Sequence, residues 1–196
     1  RQLPPESLFV VGNGLSVRDI DWFCRGSSLM CTVLSQRGAA GIDGMLSQAL
    51  GAANQTLKPV TVLIGDETFL HDFHALVVAR EVRHTVVVVV MNNNGGRIFE
   101  HLPIARQPEL AGVLEEHFVM PHGVELASIA GSFGLDACCV TTSKELDTAL
   151  KEAYQKTRVA IIEAKVSPEA ARHQYNTMFN SIENSVEKLL FDGLDR

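Results

Sequence analysis

VTVLIGDETFLHDFHALVVAREVRHTVVVVVMNNNGG, residues 60–96, holds two apolar runs with a helical pattern between them. Residues 60–64 and 86–90 are dominated by β-branched side chains and lack polar alternation, as strands buried on both faces do. Phe69, Phe73, Leu76 and Val77 fall at helical spacing, so the segment between the runs predicts one amphipathic helix that reaches Arg80. Strand, crossover helix and second strand make a βαβ unit, right-handed, with its two strands parallel. Both strand ends then open on one edge of the sheet, where open α/β sheets bind ligands.

At those two ends stand Gly65-Asp66 and Asn92-Asn93-Asn94-Gly95-Gly96. Neighbouring strands lie about 5 Å apart, so Asp66 and one of the three asparagines can reach a common point. A carboxylate, a carboxamide and a freed backbone carbonyl are hard oxygen ligands, suited to a Mg²⁺ ion that keeps substrate phosphates in its shell. Each motif also has a plainer reading. Asp66 or Thr68 could cap the helix that follows, and 92–96 could be a simple turn. Two unrelated turns have no need to converge on one point, which favours the ion site.

Composition narrows the function classes. The chain has 196 residues, 46% of them hydrophobic, enough for one well-covered core. Seventeen basic residues against 23 acidic give a net charge of −6, and the cations are scattered, which argues against nucleic acid as a partner. No apolar stretch reaches the length needed to span a membrane. Cys24, Cys31, Cys138 and Cys139 lack CxxC spacing, and the 138–139 pair lies in a predicted strand. Reduced, buried thiols and a cytoplasmic location are therefore expected, or a plastid one in a plant or alga. The chain starts at Arg1 and not at Met, so it is expected to be part of a longer or processed polypeptide.

The flanks extend the same alternation. Residues 8–11 read as a strand stopped by Gly12-Asn13-Gly14, then a short helix over 15–23 that carries Arg18. The GNG turn lacks the remaining glycine of a dinucleotide fingerprint. Residues 31–35 predict a second strand, and after it Gln36-Arg37-Gly38-Ala39-Ala40-Gly41-Ile42-Asp43-Gly44 leads into a small-residue helix. Three glycines there allow close approach of a backbone to a ligand or a strand. Arg18 and Arg37 stand near strand ends, where ligand contact and surface ion pairing weigh equally. Phe99 and Leu102 follow the Asn/Gly turn as apolar contacts.

Residues 108–132 predict two short helices broken at Pro121-His122-Gly123. Residues 136–140 and 159–164 predict the last two strands, with a capping box at Thr142-Ser143-Lys144-Glu145 opening the helix between them. From about residue 168 a helical tail carries Met178, Ile182, Val186, Leu189 and Leu190 at helical spacing, able to pack back or to cover a partner. The fold class expected is α/β: a three-layer α/β/α arrangement around an open, mostly parallel sheet of about six strands. His71 and His74 share a helix face, but without further ligands a zinc site is not expected. The absence of a GxSxG elbow leaves a hydrolase triad unsupported.

The Gly-Asp step with an Asn 27 positions on resembles the diphosphate-binding motif of thiamin-diphosphate enzymes. GNGLSVRDID, SQRGAAGIDGMLSQALG, GDETFLHDFHAL and VMNNNGGRIFEHLP are together similar to the 2-succinyl-5-enolpyruvyl-6-hydroxy-3-cyclohexene-1-carboxylate synthase family. That resemblance covers essentially all of 1–196, as the family's C-terminal diphosphate-binding domain. It implies thiamin diphosphate and Mg²⁺ as cofactors, with Mn²⁺ as a substitute ion. Asp66, the Asn93 side chain and the Gly95 main-chain oxygen would hold the metal. Gly65 and the segment Glu67, Thr68 and Phe69 would face the diphosphate, and Ile42 would sit under the cofactor. Arg18 and Arg37 would bind substrate carboxylates, with Asn13, Phe99 and Leu102 nearby.

The activity implied is decarboxylation of 2-oxoglutarate and 1,4-addition of the succinyl unit to isochorismate, in menaquinone or phylloquinone synthesis. Both substrates are polyanionic, which suits paired guanidinium groups. Two departures stand out: Glu67 occupies a position where thiamin enzymes at large have Gly, and Gly14 replaces a Ser found in some members. The glutamate that activates the cofactor belongs to the family's N-terminal pyrimidine-binding domain, so no catalytic residue is expected in this chain and the isolated domain should be silent. A homodimer or tetramer is implied. Two alternatives stay open: another thiamin-diphosphate decarboxylase or carboligase, and a non-catalytic α/β domain that binds a nucleotide.

Overall fold

A computed structural model describes residues 2–24 and 30–191; Arg1, on which the expectation of a longer polypeptide rests, lies outside them. The chain opens with β1 (Leu8–Val11) and α1 (Leu15–Phe23), followed by β2 (Thr32–Leu34) and α2 (Met45–Thr56). The central unit is β3 (Val60–Gly65), α3 (Asp66–Asp72), a 3₁₀ turn over Phe73–Ala75, α4 (Leu76–Ala79) and β4 (Val86–Asn92). Three 3₁₀ turns between Arg97 and Leu110 lead to α5 (Ala111–Leu114) and a π-turn over Glu115–Val119. The chain continues through α6 (Leu126–Ser132), β5 (Asp136–Val140), α7 (Ser143–Tyr154), β6 (Val159–Lys165) and α8 (Pro168–Phe191).

The six strands form one sheet in the order β2-β1-β3-β4-β6-β5, and every pairing is parallel. β3 and β4 are neighbours in register, Val60 against Val86 through Gly65 against Met91. The reversal of strand order falls between β1 and β3, the kind of position at which such sheets bind ligands.

Burial explains the absence of alternation in the central strands. On one face Val60, Val62, Ile64, Val86, Val88 and Val90 pack with Met45, Leu46 and Leu50 of α2, Phe69 of α3 and Leu126 of α6. On the other, Val87, Val89, Ala160 and Ile162 pack with Ala153, Leu146 and Leu150 of α7. Helices thus cover both faces, in three layers.

Two expectations are corrected. The crossover is not one amphipathic helix: the 3₁₀ turn at Phe73–Ala75 rotates the helical face, so Phe69 and Leu76 are buried while Phe73 and Val77 emerge. Ala75 and Ala79 take the inward positions. The thiols are free but not buried: Cys24 and Cys31 are partly covered, and Cys138 and Cys139 are exposed because β5 is an edge strand, paired on one side only. The tail helix packs back through its N-terminal half, as one of its two readings allowed, with Phe179 edge-on to Trp22 at 5.3 Å between ring centroids. Tyr175 lies against Trp22, at 5.6 Å between ring centroids, and against His101, at 4.7 Å. Farther along, Ile182, Val186, Leu189 and Leu190 remain exposed.

Candidate functional site

The C-terminal ends of β3 and β4 bring Asp66 and the 92–96 turn together, as the pairing of the two strands requires. Asp66 is the first residue of α3 and is buried. Its Oδ1 accepts from Glu67 N–H at 2.9 Å, and its Oδ2 accepts from Gly95 N–H at 2.9 Å. Gly65 occupies the cap position in extended conformation with no side-chain cap, so the reading of Asp66 or Thr68 as a helix cap fails. Glu67 is half-buried, and burial together with the adjacent Asp66 charge pushes its carboxyl above the usual range. The backbone amides of Glu67, Thr68 and Phe69 lie in the first turn of α3, where N–H groups lack main-chain partners within the helix, and that of Glu67 is met by the Asp66 side chain. The Phe69 side chain is core, so only its backbone is available to a ligand.

Spacing left three asparagines equivalent, and their hydrogen bonds separate them. Asn92 Oδ1 accepts from Asn94 N–H at 2.9 Å, and Asn92 Nδ2 donates to Glu163 at 2.7 Å. Asn94 Oδ1 accepts from Gly123 N–H at 2.8 Å. Asn93 Oδ1 is buried and has no hydrogen-bond partner among the described residues. A buried carboxamide oxygen left alone costs about 1–3 kcal/mol, and a bound cation removes that cost. Asn93 is therefore the asparagine whose oxygen is free for a ligand, beside a buried carboxylate. This donor set is all oxygen, as a hard divalent ion requires.

Gly95 is needed for its backbone. Its φ is +119°, and an added Cβ would stand 2.2 Å from the Val119 carbonyl oxygen. Gly96 N–H donates to that same oxygen at 2.7 Å, so the end of the π-turn is laid directly over the metal-candidate turn.

A second group of expected residues gathers at the ends of β1 and β2. Asn13 Nδ2 donates to the Gly41 carbonyl at 2.5 Å, and Arg37 Nη1 donates to Asn13 Oδ1 at 2.6 Å. This fastens the RGAAGIDG loop, with half-buried Ile42, to the GNG turn. Arg18 Nη1 donates to the Gly14 carbonyl at 2.5 Å. Among the described residues neither Arg18 nor Arg37 has an acidic partner. Phe99 stacks edge-on against Phe118 at 5.5 Å, and Leu102 is exposed beyond it. Hydrogen bonds among the described residues do not join this second group to Asp66 or Asn93.

Sequence reasoning missed His122, which it read only as part of a helix break. His122 Nε2 lies 3.2 Å from Asp66 Oδ2, and Val124 N–H donates to its Nδ1 at 2.9 Å. A donor at Nδ1 leaves the proton on Nε2, which then donates to Asp66. Glu163 was missed too. A lone carboxyl in the apolar run VAIIEAK was the available signal. In the HDFH segment Asp72 is buried and accepts from Ser47 N–H at 2.8 Å, anchoring α3 to α2.

Comparison with known proteins identifies the family. Residues 25–164 match the model of the thiamine pyrophosphate enzyme, C-terminal TPP binding domain. The 2-succinyl-5-enolpyruvyl-6-hydroxy-3-cyclohexene-1-carboxylate synthase of Sorangium cellulosum is 41% identical over 95% of this chain and 31% of its own length. The synthase of the same name from Prosthecochloris aestuarii is 35% identical over 98% of the chain and 32% of its length. The chain thus spans about a third of the curated relatives it matches. Benzoylformate decarboxylase from Polynucleobacter necessarius shares the fold, with a TM-score of 0.63 at 19% identity over 85% of this chain and 31% of that one. With the family model matched across most of the sheet, the chain belongs to the thiamine pyrophosphate enzymes, as their C-terminal TPP-binding domain.

Proposed function

We propose that residues 1–196 are the domain that holds the cofactor diphosphate and its metal in a thiamin-diphosphate-dependent synthase acting on 2-oxoglutarate and isochorismate. The observation that carries the metal site is the buried, unpartnered Asn93 Oδ1 next to Asp66. Asp66, Asn93 and the Gly95 carbonyl would hold Mg²⁺ or Mn²⁺ against the diphosphate. The amides of Glu67, Thr68 and Phe69 favour the same anion, as helix N-termini do. Thiamin diphosphate supplies the electron sink for decarboxylation and carbon–carbon bond formation.

The substrate reading rests on the similarity to the named synthases and on the second group of residues. Arg18 and Arg37 have no acidic partners among the described residues and are each tied by one hydrogen bond beside the GNG turn. Two guanidinium groups so held match the carboxylates of 2-oxoglutarate and isochorismate. Ile42 would support the cofactor, and Asn13, Phe99 and Leu102 would line the substrate side. The remaining two thirds of the relatives' length would include the pyrimidine-binding domain with its activating glutamate, and a homodimer or tetramer would complete the site. A place in menaquinone or phylloquinone synthesis follows from the same reading, as does a cytoplasmic or plastid location.

The test uses the full polypeptide that carries this chain. Calorimetry is expected to show thiamin diphosphate binding that depends on Mg²⁺, with no binding of ATP or NAD. Asn93→Ala and Asp66→Ala should each abolish that dependence. A substrate panel is expected to select 2-oxoglutarate with isochorismate. Turnover of pyruvate in preference would replace the synthase with another carboligase, and unchanged Mg²⁺-dependent affinity in both variants would remove the site.

A further inference from the structure

Glu163 is fully buried in the middle of β6, and the proposed cofactor site makes no use of it. Its Oε1 accepts from Asn92 Nδ2 at 2.7 Å, and its Oε2 accepts from Ala127 N–H, in the first turn of α6, at 2.8 Å. Asn92 Oδ1 accepts from Asn94 N–H at 2.9 Å, which helps to keep Asn94 in the left-handed conformation, at φ +64°. Asn94 Oδ1 then accepts from Gly123 N–H at 2.8 Å. Gly123 adjoins His122, whose Nε2 reaches Asp66 Oδ2 at 3.2 Å, and Gly95 N–H donates to that same oxygen at 2.9 Å. These bonds close a ring. It leaves Glu163, follows the 92–95 turn to Asp66, and returns through His122 and the start of α6.

We propose that Glu163 is a positioning residue for the metal-binding turn, acting through Asn92 on one side and through α6 and His122 on the other. The inference rests on the metal site proposed above. The ring engages both side-chain ends of Asn92 and the Oδ1 of Asn94, and the Asn93 oxygen is left free between them among the described residues. An apolar residue could fill the volume of Glu163. It would leave the buried Asn92 Nδ2 and the part-buried Ala127 N–H without acceptors, and the turn without its anchor.

The polarity of the pair provides the test. Glu163→Gln keeps a single acceptor, so either Asn92 Nδ2 or Ala127 N–H is left facing its amide N–H₂, donor against donor, and Asn92→Asp presents a carboxylate to Glu163, acceptor against acceptor. In the double variant, the amide introduced at position 163 donates to the carboxylate introduced at position 92 and accepts from Ala127 N–H. That carboxylate still accepts from Asn94 N–H, so every bond is restored with the roles exchanged.

Cofactor-dependent Mn²⁺ binding to the full polypeptide, followed by electron paramagnetic resonance, reads the site without turnover. Each single variant should bind Mn²⁺ about tenfold or more weakly, the size usual for lost outer-shell support. The double variant should recover most of that loss. Asn94→Gly, which keeps the left-handed backbone and removes only the exposed link to Gly123, should weaken binding severalfold, and it serves if the buried single variants do not fold. Wild-type affinity in folded Glu163→Gln or in Asn94→Gly, or a double variant as weak as the singles, overturns the inference while leaving the metal site standing. Absence of cofactor-dependent Mn²⁺ binding in the wild-type protein overturns both.

Discussion

Gly95 answers to two constraints at once, a positive φ and a Val119 carbonyl oxygen that leaves no room for a Cβ. Gly95→Ala is expected to cost on the order of 2–4 kcal/mol, from backbone strain plus overpacking against rigid backbone. Chemical denaturation with circular dichroism measures it, and a loss under about 1 kcal/mol would mean that the 119–120 segment yields easily. Asn93 shows what a single residue's surroundings add to a motif. The three consecutive asparagines look alike in sequence, and the family resemblance singles out Asn93 by position. In the fold the distinction has a physical basis, since Asn92 and Asn94 have committed their oxygens to backbone N–H groups and Asn93 has not.

Among the elements, α7 follows its local signals most closely. Thr142 Oγ1 accepts from Glu145 N–H at 3.2 Å, and the Glu145 side chain returns to Thr142 N–H at 3.1 Å, the capping box expected from the sequence. Thr142→Ala should lower stability by about 1 kcal/mol. For a chain of this size that is roughly 2–4 °C in Tm. A thermal melt that shifts by less than about half a degree would show that the helix is held by packing alone. The crossover after β3 behaves differently. Its apolar spacing suits one continuous helix, but the docking of Asp72 on Ser47 and the 3₁₀ turn at Phe73–Ala75 reset the face. Phe73 then packs edge-on with Phe133 at 6.3 Å. Local periodicity carries no information about that second helix, so it could not foresee the turn.

At the level of the whole molecule, one edge of the sheet carries both groups of candidate residues, and the chain matches only about a third of its relatives' length. Half a site should bind without reacting. Residues 1–196 alone are expected to show no turnover of 2-oxoglutarate with isochorismate, while the full polypeptide is active. Mixing the isolated chain with the substrates, thiamin diphosphate and Mg²⁺ checks this, and measurable product would mean that the chain contains the activating group after all.

The amino-acid sequence alone determined the α/β alternation, the parallel central strands and the pairing of Gly65-Asp66 with the asparagine turn. β-branched runs, glycine positions and a capping box act over a few residues and are written locally. The fold decided what depends on chain segments far apart. It set the strand order, the exposed faces of Phe73 and of Cys138 on the edge strand, and the reach of His122 and Glu163 to the turn. Hydrogen bonds across 56 residues to Asp66 and across 71 to Asn92 exist only once β3, β4 and β6 lie side by side. For that reason the metal-candidate turn could be read from sequence, and its support could not.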